Sequence, residues 1–139
     1  MKKFIGLDLG SRTCGVAISD IMGMIARTYT TIRYKDDNYE YGADEVIKIA
    51  KLEGVDTIVL GMPKHMNGDV GIRGKISEDF KKLLEDKANL NVILWDERLT
   101  TKAANNLMIS SNVRREDRKK TKDELAALLI LQNYLDFKK

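Results

Sequence analysis

FIGLDLGSRTCGVAISD, residues 4–20, is the stretch on which the fold turns. Phe4, Ile5, Leu7 and Leu9 make a short apolar strand that Gly10 closes, and CGVAISD (14–20) makes a second. Only Ser11–Thr13 lie between them, a connection short enough to imply an antiparallel hairpin. Asp8 interrupts the first strand. A buried bare carboxylate is costly, so Asp8 must be paired, hydrogen-bonded, protonated or bound to a metal. By strand alternation it shares a face with Gly6 and Gly10, whereas Ile5, Leu7 and Leu9 point the other way. Those glycines leave room beside the acid, and room beside a buried acid suits a ligand. The plainer alternative is an acid tied to a backbone turn or to a neighbouring arginine.

Working outward, MIARTYTTI (24–32) is close enough to continue a three-strand meander. The period then changes. Ala43, Val46, Ile47 and Ala50 recur at helical spacing over 40–53, and Gly54 ends that helix. DTIVLG (56–61) is a buried strand. Ile72, Ile76, Phe80, Leu83 and Leu84 mark a second helix, and NVILW (91–95) a fifth strand. Thr100–Met108 reads as a short helix. A last helix runs from about Lys122 to Phe137, with Ala127, Ile130, Leu131, Tyr134 and Leu135 on its apolar stripe. The fold class is therefore α/β: a mixed five-stranded sheet, a meander followed by βα units, with helices on its faces. Pro63 lies in the glycine-spaced loop GMPKHMNGDVG (61–71), which joins the fourth strand to its helix.

The 139 residues suffice for one domain, 1–139, with a real core, and 43% hydrophobic with 32% charged residues is the balance of a soluble globular chain. No apolar run is long enough to span a membrane, and Asp8 comes too early for a signal peptide. A single cysteine excludes an internal disulfide framework and a cysteine-rich zinc site, so the cytoplasm is the expected compartment. The net charge is only +3, but it is unevenly placed. Between Arg114 and Lys122 six basic residues face two acids, so that stretch carries +4 and the remainder −1. Such a run is either a solvated face or a contact for a polyanion.

Ligands of open α/β sheets gather beyond the carboxyl ends of the strands. Three places send acids there: Asp8 near the end of strand one, Asp96 and Glu97 directly after strand five, and Asp123 at the opening of the last helix. Each has a structural alternative. Asp123 would suit the helix dipole, Asp96 could cap a turn, and Glu97 could pair with Arg98. Together, however, converging carboxylates repel unless cations lie between them. An oxygen-only donor set suits Mg²⁺ or Mn²⁺, ions that support phosphodiester hydrolysis by activating water and stabilising the leaving oxygen.

IGLDLGSRTCGVAISD (5–20), GMPKHMNGDVGIRG (61–74), DERLTT (96–101) and KKTKDELAALLILQNYLD (119–136) resemble the RuvX/YqgF family from end to end, in order. Those are small RNase H-like proteins described as Holliday-junction resolvases and pre-16S rRNA processing nucleases. The resemblance implies an RNase H-like fold with helices on both faces of the sheet. It makes Asp8, Glu97 and Asp123 the catalytic metal ligands, with Glu97 substituting for the acid that related nucleases carry at the end of the fourth strand. It also implies a nucleic-acid partner, either a structured RNA precursor or branched DNA. Cys14, Thr121 and Lys122 depart from the family pattern, and none of them is one of those ligands.

Around this set, Arg12 in the first turn is a candidate phosphate contact, with a plain surface arginine as the alternative. Asn67 and Arg73 lie in the loop facing the same edge. Arg114, Arg115, Arg118, Lys119 and Lys120 precede Asp123 and place their charge beside the acids. Asp96 and Arg98 are supporting residues that hold the turn or orient carboxylates. Few aromatics are free to stack on bases, so shape and backbone contacts would set selectivity. Two other functions fit the residues less well: a non-catalytic RNA-binding maturation or transcription factor, and an actin-like nucleotide module, for which the chain is too short. Monomer and homodimer are both open.

Overall fold

The computed structural model describes residues 2–62, 71–96 and 115–138, the side chains of 72, 73 and 115–124 apart. The elements run β1 (Phe4–Leu9), β2 (Thr13–Ser19), β3 (Ala26–Arg33), α1 (Tyr39–Glu53), β4 (Thr57–Met62), α2 (Ile72–Ala88), β5 (Asn91–Asp96) and α3 (Arg115–Lys138). The five strands form one sheet in the order β3-β2-β1-β4-β5. β1–β2 and β2–β3 pair antiparallel, while β4 and β5 join β1 in parallel. The meander and the βα units are thus as the pattern predicts. The expected helix over Thr100–Met108 lies outside the described residues.

β1 is the central strand, and its alternation divides the core. Ile5, Leu7 and Leu9 face Val46 and Ala50 of α1 and Phe80 and Leu84 of α2. Phe4, Ala17 and Val59 face Ala127, Ile130, Leu131 and Leu135 of α3. Helices therefore cover both faces, as each must when a central sheet is buried on two sides. α1 starts on Asn38, whose side chain accepts from the Tyr41 amide, and ends on Gly54 at φ 69°. Gly42 inside α1 costs helix propensity, but a Cβ there would stand 3.3 Å from the Tyr34 ring that lies across it.

The far end of α1 is tied to the sheet by Glu53, which accepts from the Tyr29 hydroxyl at 3.0 Å and from Lys3 at 3.3 Å. The Tyr29 hydrogen bond, and then Lys3, hold its carboxyl below the usual range. A depressed carboxyl stabilises the fold above its unfolded value, about 4.3, and loses that contribution as pH falls through the lower folded value. Glu53→Gln should accordingly flatten the acid limb of stability against pH below about 4.3, as read from urea midpoints across that range.

Two boundaries differ from expectation. Asp96 is the last residue of β5, paired with Met62, rather than the first residue after the strand. α3 begins at Arg115, about two turns before the predicted start, so Asp123 is interior to the helix and does not open it. Arg115–Lys122 lacks apolar periodicity, the signal by which the helix was delimited, but arginine, lysine and glutamate propagate a helix well without it.

Candidate active site

Asp8 is half-buried near the carboxyl end of β1. Gly15 of β2 stands opposite it. On the other side, the β1–β4 register pairs Leu7 with Leu60, which puts Gly61 next in line beside Asp8. With Gly6 and Gly10 along its own strand, the acid has glycine on four sides. Sequence reasoning found Gly6 and Gly10; Gly15 and Gly61 join them only through the pairing of separate strands. The result is a floor of backbone around one carboxylate.

Which helix faces this floor is fixed at Gly6. A Cβ built there would come within 2.6 Å of Leu131 Cβ and 2.9 Å of the Ala127 carbonyl oxygen. Gly6 is therefore the point where α3 rests backbone to strand, so the room expected beside Gly6 is filled by the helix and not left for a ligand, and Asp8, two residues on, lies on that same face. α3 runs antiparallel to β1, because the Phe4 and Tyr134 rings meet at 6.0 Å at the other end. Stepping from Gly6 to Asp8 advances about 6.6 Å along the strand. Stepping back four residues from Ala127 to Asp123 advances about 6 Å along the helix. The same step from Leu131, the other contact, reaches Ala127, so at the backbone Asp8 lies alongside the turn 123–127, with Asp123 at its amino end. Arg115, Arg118, Lys119 and Lys120 lie on the next two turns, which continue about 12 Å further.

Asp96 belongs to the other side. Val92 and Leu94 of β5 pack with the α1–α2 core, whereas Trp95 packs with α3 against Tyr134 at 5.6 Å. Alternation thus sets Asp96 on the face away from Asp8. Arg12 is exposed and ion-paired with Asp36, whose hydrogen bond raises the Arg12 pKa above its ordinary value. Arg73 is the second residue of α2. Glu97, Asn67, Arg98 and Arg114 lie outside the described residues. Among the described residues no three acidic, cysteine or histidine side chains come together.

The turn after Asp8 is held by a device that the sequence did not reveal. The Tyr34 hydroxyl donates toward the carbonyls of Gly10 and Thr13, the Tyr34 amide donates to Arg12 O at 2.9 Å, and the Asp37 amide donates to Ser11 O at 2.9 Å. The corner between β3 and α1 is thereby fastened to the end of β1.

Central parallel strands, an antiparallel meander and helices on both faces place the molecule in the RNase H-like class of α/β folds. T. thermophilus RuvC in complex with a Holliday junction substrate has the same fold, with a TM-score of 0.66 at 10% identity over 100% of this chain and 98% of that one. The fowlpox virus Holliday junction resolvase matches with a TM-score of 0.59 at 16% identity, over 97% and 99%. Within that class the chain belongs to the RuvX family, whose model, described as Holliday junction resolvase, matches residues 2–137. A Bacillus pumilus (strain SAFR-032) protein named "Putative pre-16S rRNA nuclease" is 49% identical over 134 residues, 96% of this chain and 97% of its own length.

Proposed function

We propose that the chain is a divalent-metal-dependent endonuclease acting on structured nucleic acid in the cytoplasm, with Asp8, Glu97 and Asp123 holding Mg²⁺ or Mn²⁺. The observation that carries the reading is the close approach at Gly6, which brings the Asp123 turn of α3 to the level of Asp8. The residues suit the ion: three carboxylates are a hard, oxygen-only donor set. The bound ion would supply activation of water and stabilisation of the departing oxygen. Of the two acids in DERLTT, Asp96 faces away from Asp8, which favours Glu97 as the third ligand and leaves Asp96 to brace the strand end. Arg98 would orient the carboxylates.

The basic turns of α3, Arg115, Arg118, Lys119 and Lys120, together with Arg114, Arg12, Asn67 and Arg73, would hold the sugar-phosphate backbone. Such contacts orient a substrate by shape and leave its base sequence unread. The names carried by the family and its relatives supply two substrates of that kind, a pre-16S rRNA precursor and a four-way DNA junction. Incubating both with the protein in Mg²⁺ or Mn²⁺, beside Asp8→Asn, tests the proposal. Cleavage of at least one substrate, lost in the variant, is the expected result. No cleavage of either under any divalent ion would reject it.

A further inference from the structure

Beyond the acids, the same sheet edge carries a second recess. It has a volume of about 390 Å³ and lies at the corner between β3 and α1, lined by Arg33, Tyr34, Lys35, Asn38 and Tyr41. Arg33 pairs with Thr13, and Thr31 pairs with Gly15, the residue opposite Asp8. Alternation on β3 therefore puts Arg33 on the Asp8 face, two strands across and two residues further toward the edge. The backbone separation is about 12 Å, roughly three to four nucleotides of a stacked strand at about 3.4 Å each.

What distinguishes the corner is which of its charges are directly paired. Asp36 pairs with Arg12, Glu40 and Asp44 share Lys87 at 3.0 Å each, and Asp37 accepts a hydrogen bond from the Tyr39 hydroxyl at 3.0 Å. Arg33 and Lys35 are exposed and have no ion-pair partner among the described residues. Beside them the Tyr41 side chain is 47% exposed. An exposed aromatic flanked by two cations that are held in no ion pair is the combination that holds a nucleic-acid strand, with bases stacked on the ring and phosphates on the cations. The corner is also rigidly joined to the active-site strand through Tyr34 and the Asp37 amide. It can hold a strand in fixed register with Asp8.

We infer that Arg33, Lys35 and Tyr41 form a subsite for an unpaired nucleic-acid strand leaving the Asp8 edge, with Tyr41 stacking on a base and the two cations taking phosphates. The inference rests on the nuclease reading and adds a binding position that this reading does not require. It also identifies Tyr41 as one of the few aromatics free to stack on a base.

The test is fluorescence anisotropy in Mg²⁺ with labelled oligouridine and oligothymidine, in an Asp8→Asn background that prevents cleavage. Arg33→Gln/Lys35→Gln should weaken binding on the order of tenfold and lower the slope of log affinity against log salt by about 1.4, at about 0.7 per phosphate contact. Tyr41→Leu should weaken binding about fivefold or more with the slope unchanged, and Tyr41→Phe should restore it. A purely structural role for these residues would not separate the two signatures. Equal losses on both probes assign the subsite to the shared phosphate and base chemistry, and a loss on one assigns it to that strand. Unchanged affinity and slope in the Gln variant, with the parent still binding, would overturn the subsite and leave the nuclease reading standing. A parent that binds neither probe would overturn the subsite, while the nuclease reading is overturned only by failure to cleave the structured substrates.

Discussion

Asp8→Asn is expected to reduce phosphodiester cleavage by about 10³-fold or more, while leaving the fold intact. The magnitude follows from position. Residues that only orient a metal's ligands cost about 10–100-fold when removed, and a direct ligand should cost more. A 10³-fold loss corresponds to about 4 kcal/mol of barrier. Amide and carboxylate are nearly isosteric, so packing against Gly15 across the strand pair is preserved. Without divalent ions the variant should melt at or above the wild-type temperature, because it removes one of several converging negative charges. A carboxylate serving only a structural hydrogen bond would behave oppositely, with stability lowered by about 1–3 kcal/mol and cleavage retained. Activity and melting in chelator, measured on the same preparations, separate the two roles.

Gly6→Ala should be the most damaging single-methyl change in the sheet. Its Cβ would meet the Ala127 carbonyl and the Leu131 Cβ, both too close to the helix axis to swing aside. Accommodation requires moving α3 away from β1. Overpacking of this kind costs about 1–3 kcal/mol or more, and the upper end applies where backbone is struck. For a chain of this size that is a fall in Tm of roughly 6–12 °C. The same movement draws the Asp123 turn away from Asp8, so affinity for Mn²⁺ should fall even at temperatures where the variant is folded. Unchanged Tm together with unchanged Mn²⁺ affinity would show that the close approach does not set the site.

The sequence was legible where one element carries its own signal. The period of two in FIGLDLG identified the glycine face of β1 correctly, because a central strand covered on both sides must alternate between two cores. The apolar stripe of α3 likewise identified Ala127, Ile130 and Leu131 as packing residues. What stayed hidden depends on register between elements. Gly15 and Gly61 neighbour Asp8 only through strand pairing, and Asp96 is separated from Asp8's face by a parity that no local pattern states. The first turns of α3 were missed because their residues are all polar. Tyr34 was invisible for a different reason: its hydroxyl bridges carbonyls that lie 24 and 21 positions earlier in the chain.

The central claim is that Asp8 and Asp123, on facing elements, share divalent cations. Isothermal titration of Mn²⁺ or Mg²⁺ into the wild type and into an Asp8→Asn/Asp123→Asn double variant tests it directly. Saturable binding in the wild type and none in the double variant is the predicted result. Equal binding in the two proteins, or binding in neither, would contradict it.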